Sequence, residues 1–159
     1  MTNPLPIRIH HFFDIIRDFG INPKIEPNQK YHHSYHTVAT CIRNNPDLKL
    51  EIVIGPDAVC AGCAFHKKGT CTDKIDKPGF SLKSRYNDFL DRKILGKLNF
   101  RAHQITTAQD LCCTADQYLS NIYSIYNLNA VPNTSVRHMQ VINGLKYYKK
   151  LHNFSLNLA

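Results

Sequence analysis

Apolar positions along the chain switch between a period of two and a period near 3.6, so strands and helices can be marked out directly. Leu5, Ile7 and Ile9 alternate with Pro6, Arg8 and His10, which predicts a short edge strand. Phe12, Ile15, Ile16 and Phe19 follow with helical spacing, and Gly20 is expected to end that helix. A second stripe, Tyr31, Tyr35, Val38, Ala39 and Ile42, predicts a helix that stops at Asn44-Asn45-Pro46-Asp47. Leu48, Leu50, Ile52 and Ile54 alternate again as a second strand, closed by Gly55-Pro56-Asp57.

Three more helices are expected downstream. Ser81 is placed to cap one with Leu82, Tyr86, Phe89, Leu90 and Ile94 on a single side. Thr106 and Gln109 have capping-box spacing before Leu111, Ala115, Tyr118, Leu119, Ile122 and Tyr126, the clearest amphipathic run in the chain. Asn133-Thr134-Ser135 would cap the last, which runs to about Lys150. The expected fold is mainly α, in the α+β class, with about five helices around a small two-stranded sheet. All of 1–159 reads as a single domain, with a metal-binding loop over 55–77 and a C-terminal helical extension over 106–151. If the strands pair in parallel, His10 and His11 arrive beside the loop that begins at Gly55.

That loop carries the chemistry. Cys60-x-x-Cys63 places two sulfurs where one metal centre can take both, and Cys71 follows after seven residues. Zinc and iron–sulfur sites are both built this way. The hydrophobic fraction of 43% and charged fraction of 20% are those of a globular protein. The chain starts with no signal-like segment and contains no apolar run long enough to cross a membrane, so a cytoplasmic location without membrane attachment is expected. In that compartment six cysteines read as metal or redox chemistry before they read as disulfides.

The net charge of +8 permits an acidic partner, including nucleic acid, but the basic residues are spread out and form no arm. Lys67, Lys68 and Lys74 flank Cys71 and would favour thiolates there. Nucleotide hydrolysis, dinucleotide binding and serine-hydrolase chemistry are unsupported, because none of their motifs occurs.

A fourth ligand has several candidates. Cys112 and Cys113 are expected in the first helical turn after Gln109, where the dipole lowers a thiol pKa, with Cys113 on the polar flank and Cys112 in the core. Cys41 is expected in the core. His10 and His11 are candidates for coordination or acid–base work, and His66 lies within the loop. His32 and His36 have i, i+4 spacing that would place them on one helical face beside His33. Asp57 and Asp14 are possible proton donors.

Several of these residues match a known pattern. Arg8-Ile9-His10-His11, the strand entering Gly55-Pro56-Asp57 and Cys60-x-x-Cys63, then Cys71, then a helix with Arg85 and Asp88, together resemble the bacterial and archaeal family catalogued as domain of unknown function number 1284. The resemblance covers roughly residues 7 to 98 and implies an iron–sulfur protein. It implies that Cys60, Cys63 and Cys71 ligate a cluster and that His10 and His11 share its site. Two departures stand out: many members carry a cysteine where this chain has Asp14, and many end in a cysteine-rich segment.

The resulting expectation is one 4Fe–4S cluster on three cysteines. The fourth position falls to His10, His11 or Cys113, or stays open for a small-molecule substrate. Catalysis would then fall to His10, His11 and Asp57. A structural zinc module, a nucleic-acid-binding module and a simple electron-transfer protein with a redox partner are the alternatives.

Overall fold

β1 (Leu5–Ile7) runs into α1 (Ile9–Phe19) with only Arg8 between them. The computed structural model, which describes residues 3–154, continues through a loop into α2 (Tyr35–Asn44) and β2 (Lys49–Ile52). β1 and β2 pair in parallel, Leu5 opposite Leu50 and Ile7 opposite Ile52. A crossover through helices is what permits that orientation. The cysteine segment follows as a 3-10 turn over Ala58–Cys60 and a hairpin of β3 (His66–Lys67) and β4 (Thr70–Cys71). A second hairpin, β5 (Lys74–Lys77) with β6 (Phe80–Leu82), leads into α3 (Lys83–Leu98).

β7 (Ile105–Thr107) then returns antiparallel to β2 on the side away from β1. The central sheet therefore has three strands, where two were expected. The added strand is a β-branched run too short to show a period. After it come α4 (Ala108–Cys113), α5 (Ala115–Ser120), α6 (Ile122–Ile125) and α7 (Val131–His152). The architecture is mixed α/β, with seven helices among the described residues where about five were expected. No helix among them is long and apolar enough to cross a membrane.

The difference in helix number has a local cause. The stripe from Leu111 to Tyr126 was expected as one helix and forms three short ones. Thr114 Oγ1 donates to the Leu111 carbonyl at 2.7 Å, Asn121 Nδ2 to that of Gln117 at 2.8 Å, and Ser124 Oγ to that of Asn121 at 2.9 Å. Side chains that compete for backbone groups in this way break a helix while leaving its apolar face in register. Leu111, Ala115, Tyr118, Ile122 and Tyr126 are all buried.

The caps also shift. Thr107, not Thr106, caps α4, its Oγ1 accepting from the Asp110 N–H at 3.1 Å. α3 begins after Leu82, so Ser81 is not its cap. α2 begins at Tyr35 and leaves Tyr31 outside. α7 begins at Val131, ahead of Asn133-Thr134-Ser135.

α7 packs across α1 at two glycines. A Cβ on Gly144 would come within 1.7 Å of the Ile16 carbonyl oxygen, and one on Gly20 within 2.1 Å of that of Gln140. Gly20 ends α1 as expected, with a φ of −75° that any residue can adopt. Close approach of α7 is what requires a glycine there. Val141, Leu145 and Tyr148 of α7 are fully buried, and Tyr148 donates to the Ile42 carbonyl at 2.7 Å. The segment expected as an extension thus completes the core.

Candidate functional site

The site grows from the β1–α1 junction. Arg8 is 4% exposed and Asp91 of α3 is 0% exposed, and charges this deep require partners. Arg8 Nε donates to Asp91 Oδ2 at 2.7 Å, and its Nη2 donates to Asp88. The His10 ring places Nδ1 2.7 Å from Asp91 Oδ1, and the His10 backbone N–H reaches the same oxygen at 3.1 Å. His11 Nδ1 lies 2.8 Å from Asp57 Oδ2, which also accepts the Arg8 backbone N–H at 2.8 Å. Two adjacent histidines therefore each rest on their own carboxylate. Their ring centroids are 4.3 Å apart at 51°.

Tying Nδ1 to a carboxylate assigns it the proton and leaves Nε2 as the free nitrogen. The two rings are driven in opposite directions. Burial outweighs Asp91 and lowers the His10 pKa. For His11, burial is opposed by Asp57, whose attraction wins and raises the pKa. Burial would lift the Asp57 pKa, but His11 and the Arg8 N–H hold it down at about 2. A pair pushed apart in this way can keep one ring as a proton acceptor while its neighbour holds a proton.

Asp57 also organises the cysteine loop. Its Oδ1 accepts from the Val59 N–H at 3.2 Å and from Cys60 Sγ at 3.5 Å. The preceding segment clasps the loop: Ser34 N–H donates to the Val59 carbonyl, Ser34 Oγ to that of Ala61, and Ala64 N–H to that of Tyr31. The β3–β4 hairpin then returns Cys71 opposite His66. Cys60, Cys63 and Cys71 line one cavity of about 780 Å³ together with His10, His11 and Asp14. Such a volume suits a small-molecule site.

Other expectations fare differently. Cys113 is exposed at the end of α4 and does not line this cavity. The Cys112-Cys113 pair sits at the C-terminal end of a six-residue helix, so no N-terminal dipole acts on it. Burial raises both thiol pKa values, with Asp110 adding to the rise at Cys113. Cys112 is in the core as expected, whereas Cys41 is exposed. His32 has φ 52° and precedes α2, so it shares no helical face with His36. His33 instead reaches the cavity, its ring stacked on Tyr31 with centroids 5.3 Å apart. His66 Nε2 is buried without a hydrogen-bond partner, but His66 does not line the cavity.

Lys67, Lys68 and Lys74 are exposed, and the charge beside Cys60 is Asp57. Burial first, and Asp57 with it, pushes the Cys60 thiol up to about 11. Asp14 is held by Arg137 of α7 at 2.6 Å and by Arg17 at 3.1 Å. Among the described residues, no three His, Cys, Asp or Glu side chains are close enough to share a single ion.

Arg8, Asp91 and Arg137 were not singled out as site residues in the sequence. Asp91 left only a faint signal: it stands in the charged run Asp91-Arg92-Lys93, and its spacing of three and seven residues from Ile94 and Leu98 alone sets it on the buried face of α3. Arg137 left none, because its partner Asp14 is 123 positions away.

The sequence model of the family described as "Protein of unknown function (DUF1284)" matches residues 28–128. That match begins after Arg8, His10 and His11, and it extends past Cys113 to the end of the short-helix region. No curated protein and no solved structure matches the chain.

Proposed function

The chain belongs to the DUF1284 family, whose description assigns no chemistry, and from the geometry of the cavity we propose that it is a metal-centre protein. In this reading one 4Fe–4S cluster is held by Cys60, Cys63 and Cys71. The fourth position falls to His11 or to a small exogenous ligand. The observation that carries it is the convergence on one cavity of three cysteines and a histidine whose Nδ1 is anchored on a carboxylate.

The donor types fit. Thiolates are the ligands of such clusters, and a ligating histidine ordinarily gives its other nitrogen to a carboxylate. His11 is the better placed of the pair. Its side chain is 16% exposed against 6% for His10, and its partner Asp57 also touches Cys60. When bound, a cluster supplies electron transfer or a Lewis-acidic iron. The chain's own part is to position donors around the cavity and to hold or pass a proton at Nε2 of His10, and at Nε2 of His11 only where an exogenous ligand takes the fourth position.

Zinc is the second reading, because the His11–Asp57 pairing is also the arrangement of zinc-ligating histidines. Zinc–sulfur bonds of about 2.3 Å would draw the thiols together around one ion. Anaerobic purification separates the two. A brown protein with iron and acid-labile sulfide in near-equal amounts is expected. A colourless protein with one zinc per chain would overturn the cluster reading, and a protein with neither would overturn both.

A further inference from the structure

We propose that the side of the cavity facing α7 is a carboxylate-recognition subsite, in which Arg137 and Lys77 take a small organic acid by its carboxylate. The inference concerns a different part of the cavity from the cysteines and does not depend on which metal they hold.

The cations that line the cavity are not equally satisfied. Arg8 is paired with Asp88 and Asp91, Arg17 with Asp14 and Asp18, and Lys83 with Asp73. Lys77 has no carboxylate partner among the described residues. Its Nζ reaches only neutral oxygens, the Leu128 carbonyl at 3.4 Å and Asn129 Oδ1. Arg137 shares its carboxylate, since Asp14 Oδ1 accepts from both Arg137 Nη1 and Arg17 Nη1. A guanidinium has five N–H donors; Arg137 gives one to Asp14 and also reaches the Tyr118 side chain, which leaves donors over.

Both cations touch the turn after α6. The Arg137 guanidinium carbon lies 4.3 Å from the Tyr126 ring centroid, and Lys77 is anchored on Leu128 and Asn129. Arg137, Lys77 and Tyr126 all line the cavity, and the Arg137 side chain keeps 16% exposure. Tyr86 and Leu90, both nearly buried, give the same cavity apolar surface for the body of an acid.

Charge decides the class of ligand. Arg17, Arg137 and Lys77 carry three positive charges against the two of Asp14 and Asp18, and Glu26, which also lines the cavity, is paired with Lys24, leaving a surplus of one. One surplus charge matches a monoanion, and a planar fork matches a carboxylate. A phosphate dianion would exceed that surplus by one charge.

The test is titration calorimetry on the full-length protein as purified, at fixed ionic strength, with acetate, butyrate and benzoate as probes and inorganic phosphate as a comparison. Saturable binding of a monocarboxylate is expected, stronger than that of phosphate. Lys77→Gln should weaken it roughly tenfold, and Lys77→Arg should keep it within roughly threefold, the range of one charge-assisted contact. Arg137→Lys keeps a cation for Asp14 but loses the fork, and should also weaken binding. Because Arg137 is tied into the core, its fold is checked by circular dichroism, and half-exposed Lys77 carries the test alone if Arg137→Lys unfolds. No saturable binding by the wild type, tighter binding of phosphate, or unchanged binding in Lys77→Gln would each overturn the proposal. Binding lost in Cys71→Ser but kept in Lys77→Gln would place the anion on the metal centre, overturning this subsite while leaving the centre intact.

Discussion

His11 Nδ1 lies 2.8 Å from Asp57 Oδ2, a hydrogen bond that ties the first turn of α1 to the residue that caps the cysteine turn. The same carboxylate satisfies the backbone N–H groups of Arg8 and Val59 and touches Cys60 Sγ. Asp57→Ala would strand two buried amides and a histidine together. Its expected cost is about 3–5 kcal/mol, the range for removing one partner of a buried charged pair. Urea unfolding would measure it. Asp57→Asn should cost less, because one oxygen still accepts, and a stability equal to wild type in Asp57→Ala would show that the carboxylate is not the organiser.

The cavity separates the cysteines into two groups. Cys71→Ser removes a donor that faces the cavity, whereas Cys113→Ala alters an exposed residue outside it. Iron and sulfide per chain, measured after anaerobic purification, should fall to well under half in Cys71→Ser. Cys113→Ala should match the wild type. Equal loss in both variants would return Cys113 to the ligand set.

Acid should act through Asp14. Burial alone would raise its pKa, but Arg137 and Arg17 together hold the carboxyl well below the ordinary 3.8. A carboxyl depressed in the folded state stabilises fully above its unfolded pKa, and that contribution drains away as pH falls through and below it. Stability should therefore drop steeply below about pH 4 in the wild type. Asp14→Asn should be less stable at neutral pH and show a flatter acid limb. Urea midpoints collected across that pH range decide it.

Helix propensity and packing make opposite predictions at Gly144. In an isolated helix, replacing glycine by alanine gains about 1 kcal/mol. Here the new methyl would lie 1.7 Å from the Ile16 carbonyl oxygen. Separating α7 from α1 to make room should cost about 1–3 kcal/mol, the usual penalty of overpacking. Thermal unfolding of Gly144→Ala should show a lowered midpoint. A raised midpoint would mean that the crossing is looser than the structure shows.

The periodic parts of this protein were legible in advance. The stripes of α1 and α2 and the two alternating strands depend on spacing within a few residues, and so does the loop of Cys60, Cys63 and Cys71, whereas the parallel pairing of the strands entered only as a condition and was decided by the fold. Features without a period escaped. β7 is a three-residue strand that exists because β2 offers it a free edge. The breaks at Thr114 and Asn121 depend on side-chain hydrogen bonds that compete with the helix. Gly20 was legible as a helix end, but not as the point where α7 passes over it.

Local sequence determined where helices and strands form, because backbone conformation and amphipathic period are set by near neighbours. It also determined that three thiols stand in one loop and two histidines at one strand end. The tertiary structure decided which of them meet. Asp91 is 81 positions from His10, and Arg137 is 123 from Asp14. Buried charges of this kind choose partners by the packing of whole helices, and no local pattern records that choice.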